Sequence, residues 1–465
     1  MKRDMPLIVS TEEMDKQRQA MGEIAALPHR PMTYHIVTYG CQMNAHDSEK
    51  IAGMLDEMGL VAAPSREDAG LILFNTCCIR DGAERRALGN MSWLKRLKQS
   101  RPDLVLCVCG CMMQQPKMAK IILRQYPFFD VAFGTHTLHR FPELLLRALD
   151  TRRQIIHVSD DENATIAEGM PIHRENTFSA FLTVMYGCDN YCSYCIVPYV
   201  RGRERSRSAR AILAEAEILL KGGVREITLL GQNVNSFGND LASGESFPRL
   251  LRQLDTLGIP RIRFMTSHPK DLSDDLIESM AVSPRVAKHL HLPVQSGSDP
   301  VLSAMNRVYT RGEYLRKISS LRAAMPDIAL TTDFIVGFPG ETEQDFQDTL
   351  DLADALRFDS AFTFIFSPRE GTLAAKLPDR VSTEVSRDRI ARLIAMQETI
   401  TMEIHQSLLH STQSVLVTET SKRGANQVSG KCERNITVNF EGSKSQIGAF
   451  VNVRIKKAGK NTLGG

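Results

Sequence analysis

Nine apolar runs between residues 34 and 366 each end on a glycine, a cysteine or a short polar stretch, with helical patterns between them. Alternation of strand and helix folds as a parallel sheet covered by helices. In such sheets ligands gather outside the carboxyl ends of the strands. The nine endings are therefore where chemistry is expected.

The first three runs, at 34–39, 71–74 and 104–108, lead into Gly40-Cys41, Asn75-Thr76-Cys77 and Gly110-Cys111. Between the first two, Ile51, Met54, Leu55 and Met58 recur at i, i+3, i+4 and i+7, the apolar stripe of a covering helix. This predicts a doubly wound α/β domain over residues 33–150, in which Cys41, Cys77 and Cys111 converge from separate strands.

The other six runs, at 181–186, 226–230, 261–266, 289–294, 330–336 and 360–366, predict a partial (β/α)6 barrel over residues 176–400. Their endings include Gly187-Cys188, Gly231-Gln232-Asn233, Ser267-His268-Pro269, Gln295-Ser296-Gly297, Gly337 to Glu341, and Ser367-Pro368-Arg369. Barrel active sites lie on that face. Six units leave one side open to a large substrate. Gly337 to Glu341 reads equally as a phosphate-type loop or as a turn.

The first barrel run ends in Cys188, Cys192 and Cys195, spaced C-x3-C-x2-C. Three thiolates hold three corners of a 4Fe-4S cube, whereas an electron-carrying cluster takes four. One iron is left open for a ligand, as catalytic metal sites require. A zinc clip completed by a distant Cys or His is the alternative.

Among the other cysteines, Cys78 is expected to point away from Cys77, Cys107 and Cys109 to alternate with Cys111 on one strand face as packing thiols, and Cys432 to stand alone. Ten cysteines without a signal-peptide pattern favour metal ligation over disulfides. No apolar stretch is long enough to span a bilayer, so a cytoplasmic enzyme is expected.

Residues 1–32 form an extension without a usable pattern, and the polar stretch 151–175 reads as a linker. Residues 401–465 carry three strand-like runs separated by Gly-, Asn- and Lys-containing turns, which predict a small β-barrel of the oligonucleotide-binding sort. Net charge is +3 overall, yet residues 411–465 hold nine Lys and Arg against three Glu. A basic tail points to an RNA backbone, with Lys422, Arg423, Arg454 and Lys456 as candidate contacts. Arg201 and Arg203 are further candidate RNA contacts; the run of four arginines over 201–207 reads equally as a solvated basic stretch or as a clamp for phosphates or a carboxylate.

The C-x3-C-x2-C spacing, with Tyr194 before the third Cys, resembles the radical S-adenosylmethionine (SAM) superfamily. That resemblance implies that the open iron chelates SAM, whose reductive cleavage yields a 5'-deoxyadenosyl radical. Gly-Cys-Gln-Met-Asn at 40–44 with Asp47-Ser48-Glu49, Asn-Thr-Cys at 75–77 with Ile79-Arg80, and Gly-Cys-Met at 110–112 resemble the amino-terminal domain of the methylthiotransferases. The tail resembles a TRAM domain. Together these imply a second, auxiliary 4Fe-4S cluster on Cys41, Cys77 and Cys111, with Cys77 chosen over Cys78 because it occupies the Asn-Thr-Cys position.

Thr-Ser-His-Pro at 266–269, the segment 291–297, Met-Asn-Arg-Val-Tyr-Thr-Arg at 305–311 and Phe-Ser-Pro-Arg at 366–369 resemble a tRNA-modifying branch of that family. This implies conversion of tRNA N6-isopentenyladenosine, beside the anticodon, to its 2-methylthio derivative. A reductant such as flavodoxin or ferredoxin and a sulfur source would be needed, and a monomer is expected. Tyr194, Gln232, Ser267, His268, Gln295 and Asp333 are the candidates for holding SAM. The alternatives are a methylthiotransferase acting on threonylcarbamoyladenosine or on a ribosomal-protein aspartate and, from another class, an RNA-binding iron-sulfur sensor.

Overall fold

The computed structural model describes residues 5–79, 81–158, 165–421 and 426–465. Its first sheet is wholly parallel and contains β1 (Thr33–Thr38), β2 (Val61–Ala62), β3 (Leu71–Thr76), β4 (Val105–Gly110), β5 (Val131–Phe133) and β6 (Ile155–His157), in the order β2-β1-β3-β4-β5-β6. Ile72, Phe74, Leu106 and Val108 pack on one face and Leu71, Leu73, Val105 and Cys107 on the other, so both faces are buried. Continuous apolar runs are what a doubly covered parallel sheet demands.

The chain steps outward from β1 to β2 and then returns past β1 to β3, which makes the gap between β1 and β3 a switch point where ligands collect. Two sequence boundaries move. β6 lies inside the stretch expected to be linker, and residues Thr11–Ala26 of the extension form a helix packed on the helix Phe141–Thr151. Ser10 caps that first helix, whose buried Met14, Gln17, Met21 and Ile24 recur at helical spacing; a serine hydroxyl there satisfies one of the free N–H groups of the first turn.

The second unit holds β7 (Ser179–Thr183), β8 (Met185–Tyr186), β9 (Arg205–Ser206), β10 (Glu226–Leu230), β11 (Arg261–Phe264), β12 (His289–His291), β13 (Ala329–Val336) and β14 (Ser360–Ile365). β11-β10-β7 and β12-β13-β14 form two parallel sheets, joined by a bridge between Ile262 and Val286. β7 and β14 do not pair, so the six-stranded wall is a half-barrel open on one flank. β8 and β9 form a small antiparallel ribbon that brackets residues 187–204.

The helix Thr383–Ser407 runs through the boundary expected at residue 400 and leads into the third unit. There β15 (Thr412–Thr420), β16 (Gln427–Cys432), β17 (Thr437–Glu441), β18 (Phe450–Arg454), β19 (Lys457–Ala458) and β20 (Thr462–Gly464) form one sheet, ordered β18-β15-β16-β17-β20-β19. Val415, Val417, Val428, Cys432, Val438 and Ile455 make its core, so the Cys432 thiol is a packing group.

This unit docks at the amino ends of the barrel strands. Arg263 pairs with Glu226 at 2.9 Å and donates to the carbonyls of Cys432 (2.6 Å) and Glu433 (3.1 Å), while Arg261 donates to those of Lys431 and Ser414 (both 2.9 Å). Arg434 answers with an ion pair to Asp359 at 2.5 Å. Among the described residues no helix is long and apolar enough to cross a membrane.

Candidate active site

Cys188, Cys192 and Cys195 follow β8 in a loop fixed by both backbone and side-chain bonds. Gly187 has φ +75° and lies so close to the Arg203 carbonyl that no side chain fits there; only glycine takes such a position without strain. Its N–H donates to Gln232 Oε1 at 2.5 Å, and Cys188 N donates to the Gly202 carbonyl at 3.1 Å. Arg203, expected on an RNA surface, holds Asp189 of this loop with two bonds of 2.7 and 2.9 Å.

From the other half of the barrel, the Met305 carbonyl accepts from Ser193 N at 2.9 Å, and the Asn306 amide donates to the Tyr191 carbonyl at 2.9 Å. Burial together with the neighbouring Cys192 sulfur pushes the Cys195 thiol up to about 12, and burial raises Cys188 as well. Thiols held protonated by burial and by neighbouring sulfur fit a polynuclear cation that ionises them. Thiolates at three corners of a cube stand further apart than ligands of one ion, and among the described residues no three His, Cys, Asp or Glu converge on a single ion position.

The strand ends around this loop carry polar atoms without partners. Ser267 Oγ, His268 Nε2, Asn233 Oδ1 and both amide atoms of Asn235 are buried and make no hydrogen bond within the protein. Buried polar groups are normally paired, so this set fits a polar ligand such as SAM. His268 Nδ1 accepts from Lys270 N at 3.2 Å, while burial and the nearby Arg307 hold the imidazole neutral. In a neutral ring whose Nδ1 accepts, the proton sits on Nε2.

Thr266 (φ +68°) and Gln295 (φ +76°) take left-handed backbone at two of these strand ends. Folds retain such strain at functional sites. Tyr194 packs against Val301, Met305 and Phe338. Asp333 lies within β13, not at its end, 3.5 Å from His291 Nε2. Gly337 to Glu341 is a closed turn: Glu341 Oε2 accepts from Gly337 N and from Arg389, each at 2.7 Å, leaving no open phosphate cradle.

The second triplet sits at the ends of β1, β3 and β4. Cys41 immediately precedes the helix Gln42–Glu57 without capping it through its side chain, and a Cβ built on Gly40 would stand 2.8 Å from the Cys77 sulfur. The Asn44 amide ties two of the strand ends together by donating to the carbonyls of Tyr39 (2.8 Å) and Thr76 (3.0 Å).

Two expectations are corrected at this site. Cys78 does not point away, since its thiol hydrogen-bonds Cys111 and, with Arg201 nearby, holds the Cys111 thiol below its usual range. Cys107 and Cys109 pack on the sheet face opposite Cys111, because Gly110 (φ +97°) turns the chain between them.

Arg201 is the third correction. Expected to meet RNA, it is buried between the two units, donating to Asp47 Oδ2 and Asn44 Oδ1 at 2.6 Å each. It ends the helix Val197–Arg201, which starts two residues after Cys195 and is roughly 8 Å long at 1.5 Å per residue. Ile196 and Val200 pack into the same core as Cys77 and Cys111. One helical turn thus links the two cysteine triplets. Arg454 and Lys456 are exposed on and beside β18, whereas Lys422, Arg423 and Arg80 lie outside the described residues.

Comparison with known proteins accounts for all three units. Residues 182–353 match the Radical SAM superfamily, residues 33–134 an uncharacterized protein family, UPF0004, and residues 406–465 the TRAM domain. The tRNA-2-methylthio-N(6)-dimethylallyladenosine synthase of Alkaliphilus oremlandii (strain OhILAs) is 49% identical over 461 residues, 99% of this chain and 98% of that protein. The chain belongs to this synthase family.

The synthase of Caldicellulosiruptor saccharolyticus is 51% identical over 434 residues, covering 93% of this chain and 92% of its own. Among solved structures, the radical S-adenosylmethionine methyltransferase TsrM from Kitasatospora setae aligns with a TM-score of 0.54 at 14% identity, over 82% of this chain and 80% of its own. That likeness concerns the fold alone. Asn233 and Asn235 carry buried, unpaired polar atoms and Arg307 lies 3.5 Å from the Cys192 sulfur; none of the three was among the candidates read from the sequence for holding SAM or the cluster. The unusual density of polar residues at 231–236, Gly-Gln-Asn-Val-Asn-Ser, was the available signal for the first two.

Proposed function

We propose that this chain converts N6-isopentenyladenosine beside the anticodon of tRNA into 2-methylthio-N6-isopentenyladenosine, as a radical SAM methylthiotransferase. The observation that carries the reading is the pair of cysteine triplets joined through one buried helical turn at the carboxyl end of a half-barrel. The adenine C2–H bond is unactivated, and acid–base groups alone offer no route to replacing its hydrogen by sulfur. When bound, a 4Fe-4S cluster with an open iron supplies the electron that cleaves SAM to a radical able to abstract that hydrogen.

Cys188, Cys192 and Cys195 would hold that cluster, and Cys41, Cys77 and Cys111 the auxiliary one. The residues of the chain supply order. Gln232 and Asp189 hold the cluster loop, Ser267, His268, Asn233 and Asn235 offer unpaired polar atoms to SAM, and neutral His268 can donate but carries no charge. Tyr194, Gln295 and Asp333 complete the proposed SAM surround. The tRNA would enter through the open flank and meet Arg454 and Lys456. A flavodoxin- or ferredoxin-like reductant, a sulfur source, a monomeric state and a cytoplasmic location belong to the same proposal.

The test is mass spectrometry of nucleosides from isopentenylated tRNA after incubation with anaerobically reconstituted protein, SAM, sulfide and reductant. Appearance of the 2-methylthio nucleoside supports the reaction and substrate together. SAM cleavage without that product would transfer the reading to threonylcarbamoyladenosine or a protein aspartate, and absence of both would sink it.

A further inference from the structure

Among the described residues, a buried arginine lies beside each cysteine triplet, and the two differ in how their charge is met. Arg201 is neutralised by Asp47. Arg307 is just as buried, yet none of its hydrogen bonds goes to a carboxylate: Nη2 donates to the Pro293 carbonyl at 2.5 Å, Nε to the Tyr309 hydroxyl at 2.9 Å, and Nη1 to Cys192 Sγ at 3.5 Å. The guanidinium also lies over the Tyr309 ring, 5.1 Å from its centre. An ion taken out of water is costly to the fold unless an opposite charge meets it. Asp271 feels the Arg307 charge from a distance but is held by Asn233 and Lys270, so among the described residues the group in direct contact that can become an anion is the Cys192 sulfur, together with whatever that sulfur binds.

Arg307 also belongs to a clasp that reaches the cysteine loop from the far half of the barrel. Ser193 donates to the carbonyls of Ala304 (2.8 Å) and Met305 (2.9 Å), Asn306 holds the Tyr191 carbonyl, and Arg307 holds the cysteine between them. Asn306 takes φ +57° to place its side chain there.

We propose that Arg307 is the resident counter-ion of the Cys188/Cys192/Cys195 cluster, a positioning residue that fixes Cys192 and raises the reduction potential of the cluster. Reduction adds a negative charge beside a cation that water does not screen, so the reduced state is favoured. The auxiliary triplet gains no such bias, because Asp47 cancels Arg201. The inference rests on the radical SAM reading of these three cysteines.

The test uses the full-length, reconstituted protein with Arg307→Gln and Arg307→Lys, titrated potentiometrically and followed by electron paramagnetic resonance with and without SAM. SAM marks which cluster signal is which. Arg307→Gln is expected to lower the reduced-to-oxidised ratio of the SAM-responsive cluster about tenfold at fixed potential, a midpoint about 59 mV lower for a one-electron couple. Arg307→Lys should retain most of the wild-type value, and the auxiliary signal should move in neither variant. An unchanged midpoint in a fully loaded Arg307→Gln protein overturns the proposal.

Melting temperatures give an independent reading. Without a cluster no carboxylate bonds Arg307, so Arg307→Gln should melt above wild type in the cluster-free state and below it in the loaded state. A variant that melts lower in both states is one in which Arg307 merely packs, which overturns the proposal too. A wild-type protein with no SAM-responsive signal would instead overturn the cluster assignment itself.

Discussion

Replacing Arg201 with Met tests whether the seam between the first two units is truly dry. The side chains of Arg201 and Asp47 are 5% and 6% exposed, and their 2.6 Å contact is backed by a second bond of the same length to Asn44. Deleting one partner of such a pair leaves the other charge buried and unmatched, at a cost of about 3–5 kcal/mol. Trp93, the one tryptophan of the chain, lies in the helix Asp81–Ser100 of the first unit, so its fluorescence reports unfolding there. With a urea slope of about 2 kcal/mol per M, Arg201→Met should lower the midpoint of the cluster-free protein by roughly 2 M. Adding Asp47→Asn to Arg201→Met should recover part of the loss, because the stranded carboxylate is gone. If each single variant costs less than about 1 kcal/mol and the double variant equals their sum, water reaches the pair and the reasoning fails.

Gly187→Ala has nowhere to put its methyl group against the Arg203 carbonyl, so it should lose the cluster of the 188–195 loop and about half of the bound iron by colorimetric assay. Cys77→Ala should abolish the auxiliary cluster, whereas Cys78→Ala should keep its iron while raising the Cys111 thiol pKa; iron analysis and thiol titration of the cluster-free protein separate the two. Burial lowers His139 from 6.5 to about 4. Between those values the unfolded chain binds a proton that the folded one refuses, so stability falls as pH drops through that window, by up to about 3 kcal/mol. His139→Gln should flatten that fall in urea titrations at about pH 7 and pH 5, and an equally steep fall would show that His139 is not its source.

The sheet architecture was readable because doubly buried strands leave continuous apolar runs, and because Cys41, Cys77 and Cys111 follow such runs directly. What stayed hidden depends on where a side chain ends up. Nothing in the run 201–207 separates Arg201, folded inward onto Asp47, from Arg203, which stays at the surface. The face reversal between Cys109 and Cys111 hangs on the φ of Gly110, which strand alternation does not encode. The pairing of Cys78 with Cys111 follows from the approach of β3 and β4, a long-range event. The first helix was a different case: Met14, Gln17, Met21 and Ile24 carry its period openly, but a short, mostly polar segment gives that period little contrast.

The third unit is riveted by Arg261 and Arg263 to the amino ends of the barrel strands, the end opposite the cysteines. Strands of five or six residues rising about 3.3 Å each put roughly 20 Å between those two ends. An RNA that grips Arg454 and Lys456 while presenting a base to the cysteine loop must cover that height along the open flank. On the proposed reading the fold would work as a gauge, selecting a substrate by the distance between its handle and its reactive base as well as by the chemistry of the base itself.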